Sequence, residues 1–300
     1  MIANLLLLLT AAIWGFAFVA QRVGSQYVGA FTFNGIRFAL GSISLVPLIF
    51  YLDKRRKCTG TTEDNIEVKA KKILIPGVLV GTVAYAGSTL QQMGLIYTTA
   101  GKAGFITGFY MIIVPIIGIF LGIKIMKNSW IGIGLAVIGL YFLSVTENFS
   151  VNYGDLLEII GAVFWAVHIL AIDHFSKKVD CLKLSCLQFA TCSILSLISA
   201  FIFEPITVNS IKEALIPILY GGLLSVGVAY TLQVVAQKNA NPAHAGIIMS
   251  MESVFGAIGG ALILGETMST RGYLGCLFII GGIIISQIKF SSDLQHAAEM

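Results

Sequence analysis

Charge is what this 300-residue chain has least of: Lys, Arg, Asp and Glu make up 11% of it, against about 25% in soluble domains. With 57% hydrophobic residues and a mean hydropathy of +0.89, a water-soluble globular fold is excluded. Cysteine is scarce too, and the five present form no CxxC and no Cys/His cluster. Neither a disulfide framework nor a structural metal is expected from them. The chain contains no HExxH, no GxSxG and no paired intramembrane aspartates, so an intramembrane enzyme is set aside, and no cofactor is expected. A Walker A motif is missing as well, so ATP-driven work would need a partner. The net charge of +4 is small and suggests no nucleic-acid partner.

What is present are long runs without charge. About 20 mostly apolar residues in a helix cross a bilayer core, and ten such runs can be drawn: 2–21, 30–51, 73–97, 103–123, 129–146, 154–174, 183–203, 214–236, 243–265 and 271–290. Their unbroken character excludes a transmembrane barrel, whose strands alternate over about ten residues. No Lys or Arg precedes the first run, and it is too long for a signal-peptide core, so it reads as helix 1. The 52–72 segment is the one long polar connection. Eleven of the 34 charges fall between Asp53 and Lys72.

Basic residues mark the cytoplasmic side of a membrane protein. With ten spans, fourteen Lys and Arg fall on the side of the termini and four on the other, Arg22, Lys102, Lys212 and Arg271. Both termini are therefore expected in the cytoplasm, with a bacterial plasma membrane as the site. The Asn148–Phe149–Ser150 sequon lacks any other secretory signal and is discounted.

The chain repeats itself. An offset of 151 places Trp14 on Trp165, Ala20 on Ala171, Arg37 on Gln188 and Phe38–Ala39 on Phe189–Ala190. Further along the offset becomes 141–142, where Leu74–Ile75–Pro76 meets Leu215–Ile216–Pro217. Two units follow, 1–148 and 149–300. Five spans in each is an odd number, so the second unit must cross in the opposite sense, an arrangement found in alternating-access transporters with a site near the midplane.

The stretch LQQMGLIYTTAGKAGFITGFYMIIVP (Leu90 to Pro115), SMESVFGAIGGALILGE (Ser250 to Glu266), Ala12–Ile13–Trp14–Gly15–Phe16 and the Arg37–Phe38 pair resemble the EamA-type repeat of the drug/metabolite transporter superfamily. The resemblance spans residues 3–288. It implies an all-α polytopic membrane protein of ten transmembrane helices, built as two inverted five-helix repeats, that moves small metabolites, often amino acids, usually outward. Two departures stand out. Glu252–Ser253 occupies the place of a common Glu-Pro, and Gly122–Ile123–Lys124 that of a Gly-Glu. The missing proline predicts an unkinked helix in the second half where Pro115 kinks the first, and hence unequal gating.

Depth arithmetic at 1.5 Å per residue puts Trp14, Arg37, Trp165 and Glu252 in the middle third of a core about 30 Å thick. An ionisable group there is a functional hypothesis by default. Glu252 reads as a substrate-amine or proton site, or as a buried partner of Arg37; Arg37 as a helix tether or a carboxylate contact. His168, one turn after Trp165, is a hydrogen-bonded packing residue or a proton relay. Gln91 and Gln92 point about 100° apart, so at most one faces a cavity directly, and Gln91 is chosen together with Gln233; Gln91 follows Tyr85 as Gln233 follows Tyr230. The aromatics Trp14, Phe16, Phe105, Tyr110, Trp165 and Tyr230 could wall an apolar or cationic cargo, with packing as the ordinary alternative.

The glycine pairs Gly77/Gly81, Gly104/Gly108, Gly118/Gly122 and Gly256/Gly260 predict close helix packing, in a monomer or weak homodimer. The expected cargo is a small organic metabolite, an amino acid or related compound, with protons as a candidate coupling ion. The alternatives are multidrug or organic-cation efflux and a nucleobase or other metabolite carrier.

Overall fold

Several helix starts in this chain are set by short polar side chains that accept the unpaired N–H groups of a first turn. Asn152 and Asp155 form a reciprocal capping box, Asp180 accepts from Leu182 and Lys183, Thr99 accepts from Lys102, and Asn241 precedes Pro242 at the first helical position. Stops use glycine where the chain must turn left-handed: Gly122 at φ 76° and Gly265 at φ 67°.

The computed structural model describes residues 2–58, 66–123, 125–144, 152–266 and 270–287. Its elements run α1 (Ile2–Gly24), α2 (Ala30–Cys58), α3 (Ile66–Tyr97), α4 (Ala100–Thr107), α5 (Tyr110–Phe120), α6 (Lys127–Ser144), α7 (Tyr153–Ser176), α8 (Cys181–Phe203), α9 (Val208–Glu213), α10 (Leu215–Leu219), a π-helical segment (Tyr220–Tyr230), α11 (Thr231–Gln237), α12 (Pro242–Met249), α13 (Glu252–Leu264) and α14 (Thr270–Gln287). Among the described residues eight helical runs are long and apolar enough to cross a membrane, with a shorter one at Thr270–Ser286. The sequon at 148–150, the boundary at 148/149, Lys124 and the tail after 287 lie outside the described residues.

Three expectations about single helices are corrected. The run 103–123 is two helices, α4 and α5, separated at Gly108–Phe109, and 243–265 is likewise α12 and α13, separated at Ser250–Met251. Each break tightens the ladder to three-residue spacing, with Phe109 N–H donating to the Ile106 carbonyl and Met251 N–H to that of Ile248. The second half is therefore broken without a proline, because Ser250 Oγ takes the Ile247 carbonyl at 2.7 Å and diverts the backbone. Pro115, by contrast, sits inside α5 and not at a break. The run 214–236 is α10, the π-helical segment and α11 in succession.

The polar 52–72 connection is shorter than expected, because α2 continues to Cys58 and α3 begins at Ile66. Lysine and glutamate are good helix formers, and both ends of this connection contain them.

The main helix contacts cross between the halves: α2 packs on α8, α3 on α7 and α8, α1 on α13, and α6 on α14. Glycines allow these approaches. A Cβ on Gly132 would lie 2.6 Å from the Gly282 carbonyl. One on Gly81 would lie 2.6 Å from that of Gln188. Gly118 and Gly122 differ from the other pairs: they end α5, with Ile123 N–H donating to the Gly118 carbonyl at 2.8 Å, and a side chain on Gly122 would meet open space.

Candidate functional site

The breaks in α4–α5 and α12–α13 face a buried polar cavity whose walls come from both halves. Trp14, Phe18 and Gln21 of α1, Arg37 of α2, Gln91 of α3, Thr107 of α4 and Tyr110 of α5 line it from the first half. Trp165 and His168 of α7, Ser225 and Tyr230 of the π-helical segment, Gln233 of α11 and Glu252 of α13 complete it. Only about 30 Å³ is open to the centres of water molecules, room for about two waters. A larger cargo requires the helices to part.

Tyr230 is the hub. Its ring centre lies 4.6 Å from that of Trp14 and 6.0 Å from that of Trp165. Phe38 and Phe189 each stand 5.9 Å away. Two pairs of repeat-related rings thus converge on one residue. The wide turns of the π-helical segment fit between them because Gly221, Gly222 and Gly227 expose backbone to α2; a Cβ on Gly221 would sit 3.3 Å from Arg37 Cδ. Such segments are uncommon and gather at functional sites. The Ser225 carbonyl accepts from Trp14 Nε1 at 3.3 Å.

A glutamine relay fixes the opposite wall. Trp165 Nε1 donates to Gln91 Oε1 at 2.8 Å, and Gln91 Nε2 donates to Gln21 Oε1 at 3.2 Å. Gln92 turns away and donates to the Gln21 backbone carbonyl at 3.0 Å. His168 Nε2 meets Gln188 Oε1 at 2.9 Å, so this histidine is both hydrogen-bonded and on the cavity wall.

Arg37 and Glu252 are 2% and 3% exposed and both reach the cavity. They are not an ion pair, which answers the alternative left open by the sequence. Arg37 Nε donates to Asn34 Oδ1 at 2.9 Å, and its guanidinium lies 5.0 Å from the Phe38 ring centre and 5.5 Å from that of Phe33. Glu252 faces Tyr110, yet Glu252 Oε1, the Tyr110 hydroxyl and Gln233 Oε1 find no hydrogen-bond partner in the protein. Unpaired buried polar atoms cost about 1–3 kcal/mol each, so three of them around one cavity point to a polar guest.

Nine of the twelve residues singled out from sequence line this cavity. Three do not. Phe16 packs on Gly259 of α13, where an added Cβ would lie 3.0 Å from the ring. Phe105 meets Phe109 edge to face, ring centres 5.2 Å apart, within the core. Tyr85 is tied by its hydroxyl to Ser199 Oγ at 2.6 Å, so it is no counterpart of Tyr230. These misplacements share a cause, since composition cannot tell which face of an apolar helix meets lipid, core or cavity. Phe18, Gln21, Thr107 and Ser225 line the cavity without having been singled out; Gln21, a polar side chain one turn past Ala17 in an otherwise apolar helix, carried a readable signal.

Together these features define a helical integral membrane protein with a buried, two-sided polar cavity. The EamA-like transporter family matches the chain twice, at residues 1–145 and 152–287, and the chain belongs to that family, a two-repeat fold of the drug/metabolite transporter superfamily. An uncharacterized transporter of Archaeoglobus fulgidus is 28% identical over 96% of this chain and 86% of its own length. The uncharacterized transporter YoaV of Bacillus subtilis is 24% identical over 93% and 94%. The threonine/homoserine exporter RhtA of Escherichia coli is 32% identical over 47% of this chain and 48% of its own. A crystal structure of a 17% identical protein shares the fold at a TM-score of 0.72, covering 95% of this chain and 96% of that one.

Proposed function

We propose that this transporter is a secondary carrier that exports a small zwitterionic metabolite, an amino acid or a related compound, by alternating access through the Trp14–Trp165–Tyr230 cavity. In this reading ten helices span the membrane as two inverted repeats with both termini in the cytoplasm, and the chain performs no catalysis. The observation that carries it is the presence of Arg37 and Glu252 on one cavity without a bond between them. Two uncompensated opposite charges at membrane depth are costly unless a ligand completes them, and a zwitterion supplies a carboxylate for the guanidinium and an ammonium for Glu252. The partial likeness to RhtA, an exporter of two amino acids, supports the choice of cargo.

Counterflow in liposomes tests it, with pooled amino acids, nucleobases and organic cations offered and the exchanged species read by mass spectrometry. Selective exchange of amino acids is expected, and exchange confined to other classes would overturn the proposal. A second reading, organic-cation efflux, draws on the three aromatic rings that share the cavity with Glu252, which suit a cation without any role for Arg37.

A further inference from the structure

A second buried carboxylate lies behind the cavity wall. Glu158 on α7 is 1% exposed and sits one turn after Asp155 on the same helix face. Their surroundings differ. Asp155 is saturated: it accepts from Lys102 Nζ at 2.6 Å, Thr98 Oγ1 at 3.1 Å and the Asn152 N–H at 2.8 Å. Glu158 accepts one bond, from Thr107 Oγ1 at 3.1 Å, while its Oε1 has no partner in the protein. An ionised carboxylate so poorly supplied is expensive to bury, whereas a carboxylic acid is not. Gly94 makes room for it, since a Cβ there would stand 2.9 Å from Oε1.

Thr107 is the link, because it belongs to both sides. Its hydroxyl donates to Glu158 and also lines the cavity that holds Glu252. On the far side, Lys102 is 23% exposed and joins Asp155 to water. The titratable groups facing Glu158 are Asp155 from α7, Lys102 from α4 through Asp155, and Glu252 from α13, which in turn faces Tyr110 of α5; α3 contributes the Gly94 backbone.

We propose that Glu158 is a proton-carrying site in series with the cavity, reached from Glu252 through the Thr107 hydroxyl and opening to water beside the Lys102–Asp155 pair. A proton leaving Glu252 passes by cavity water to Thr107 Oγ1, and the hydroxyl's own proton passes to Glu158 Oε2. Glu158 later releases one proton toward the Asp155 side and Glu252 takes up another from the cavity, so each cycle moves one proton and leaves every side chain as it began. This rests on the transport reading only for its role, not for the existence of the site.

The test therefore begins without transport. Infrared difference spectra of the purified full chain between about pH 5 and 9 are expected to show a buried carboxylic-acid band that disappears in Glu158→Gln and persists in Glu252→Gln. Hydrogen–deuterium exchange of that band is expected to slow about tenfold or more in Thr107→Val and to recover in Thr107→Ser. No band assignable to Glu158, or exchange indifferent to Thr107→Val, overturns the proposal. In liposomes, Glu158→Gln is expected to keep substrate counterflow within about twofold while accumulation driven by a pH gradient falls about tenfold or more. A parallel loss of both would make Glu158 structural. Failure of the wild type to exchange any substrate would sink the transport reading instead, and the infrared result would still decide the site.

Discussion

Tyr110 and Glu252 occupy the same place in the two repeats: each is the first residue of the helix that follows a break, and each faces the cavity and the other. The offset between them, 142, is the one that aligns Gly108 with Ser250 and Thr99 with Asn241, and the tightened hydrogen bonds recur at it. Met111 N–H donates to the Gly108 carbonyl as Ser253 N–H does to that of Ser250. One repeat offers a phenol where the other offers a carboxylate, so the cavity is chemically lopsided within a symmetric frame.

Glu252 is the group whose loss should be felt most. Glu252→Gln keeps the size of the side chain and removes its charge, and kcat/KM for an amine-bearing substrate is expected to fall about tenfold or more, with its pH dependence flattened. Unchanged flux with an unchanged pH profile in liposomes would remove Glu252 from the mechanism.

Arg37 should discriminate by substrate. Arg37→Gln is expected to weaken exchange of amino acids about tenfold or more, the scale of a lost charge-assisted bidentate contact, and to spare the matching decarboxylated amines. Equal losses for acids and amines would contradict the zwitterion assignment.

The Tyr230 ring matters more to stability than its hydroxyl. Tyr230→Ala empties the space among Trp14, Phe38, Phe189 and Trp165, and a loss of about 3–5 kcal/mol is expected, whereas Tyr230→Phe keeps the ring and is expected to lose far less. Thermal unfolding in detergent compares them, and similar melting temperatures for the two variants would refute the hub.

Ser253 holds the two breaks together. Its hydroxyl donates to the Gly104 carbonyl at 2.6 Å, joining α13 to α4 across the repeats. Ser253→Ala is expected to cost about 1 kcal/mol, and to increase hydrogen exchange around Ser250–Met251. Unaltered protection there would show that the contact does not restrain the break.

Gly132 should tolerate no bulk. Gly132→Val places atoms against the Gly282 backbone, and a destabilisation of about 1–3 kcal/mol or more is expected because backbone cannot yield as a side chain can. A wild-type melting temperature would contradict the α6–α14 contact.

The fold was largely legible because lipid imposes one rule: every backbone polar group must be satisfied within the segment, so charge-free runs become helices. The duplication was legible in Trp14/Trp165 and Phe38/Phe189, since bulky residues at fixed offsets survive where small apolar ones blur. Glu252 and Arg37 stood out because charge is conspicuous against an apolar background. Glu158 is no less charged, yet it lies near the start of α7, where a sequence gives no reason to separate a buried acid from a solvated one.

What the sequence determined by itself was the class of molecule, its apolar helical runs and its repeats, all of which follow from composition and one-dimensional spacing. Tertiary structure alone decided that the helices break at Gly108–Phe109 and Ser250–Met251, that Tyr220–Tyr230 winds as a π-helix, and that Phe16, Phe105 and Tyr85 turn from the cavity while Gln21 and Thr107 turn into it. Those outcomes depend on which helix faces meet across the two halves, and that choice arises from glycine contacts and hydrogen bonds between residues far apart in the chain.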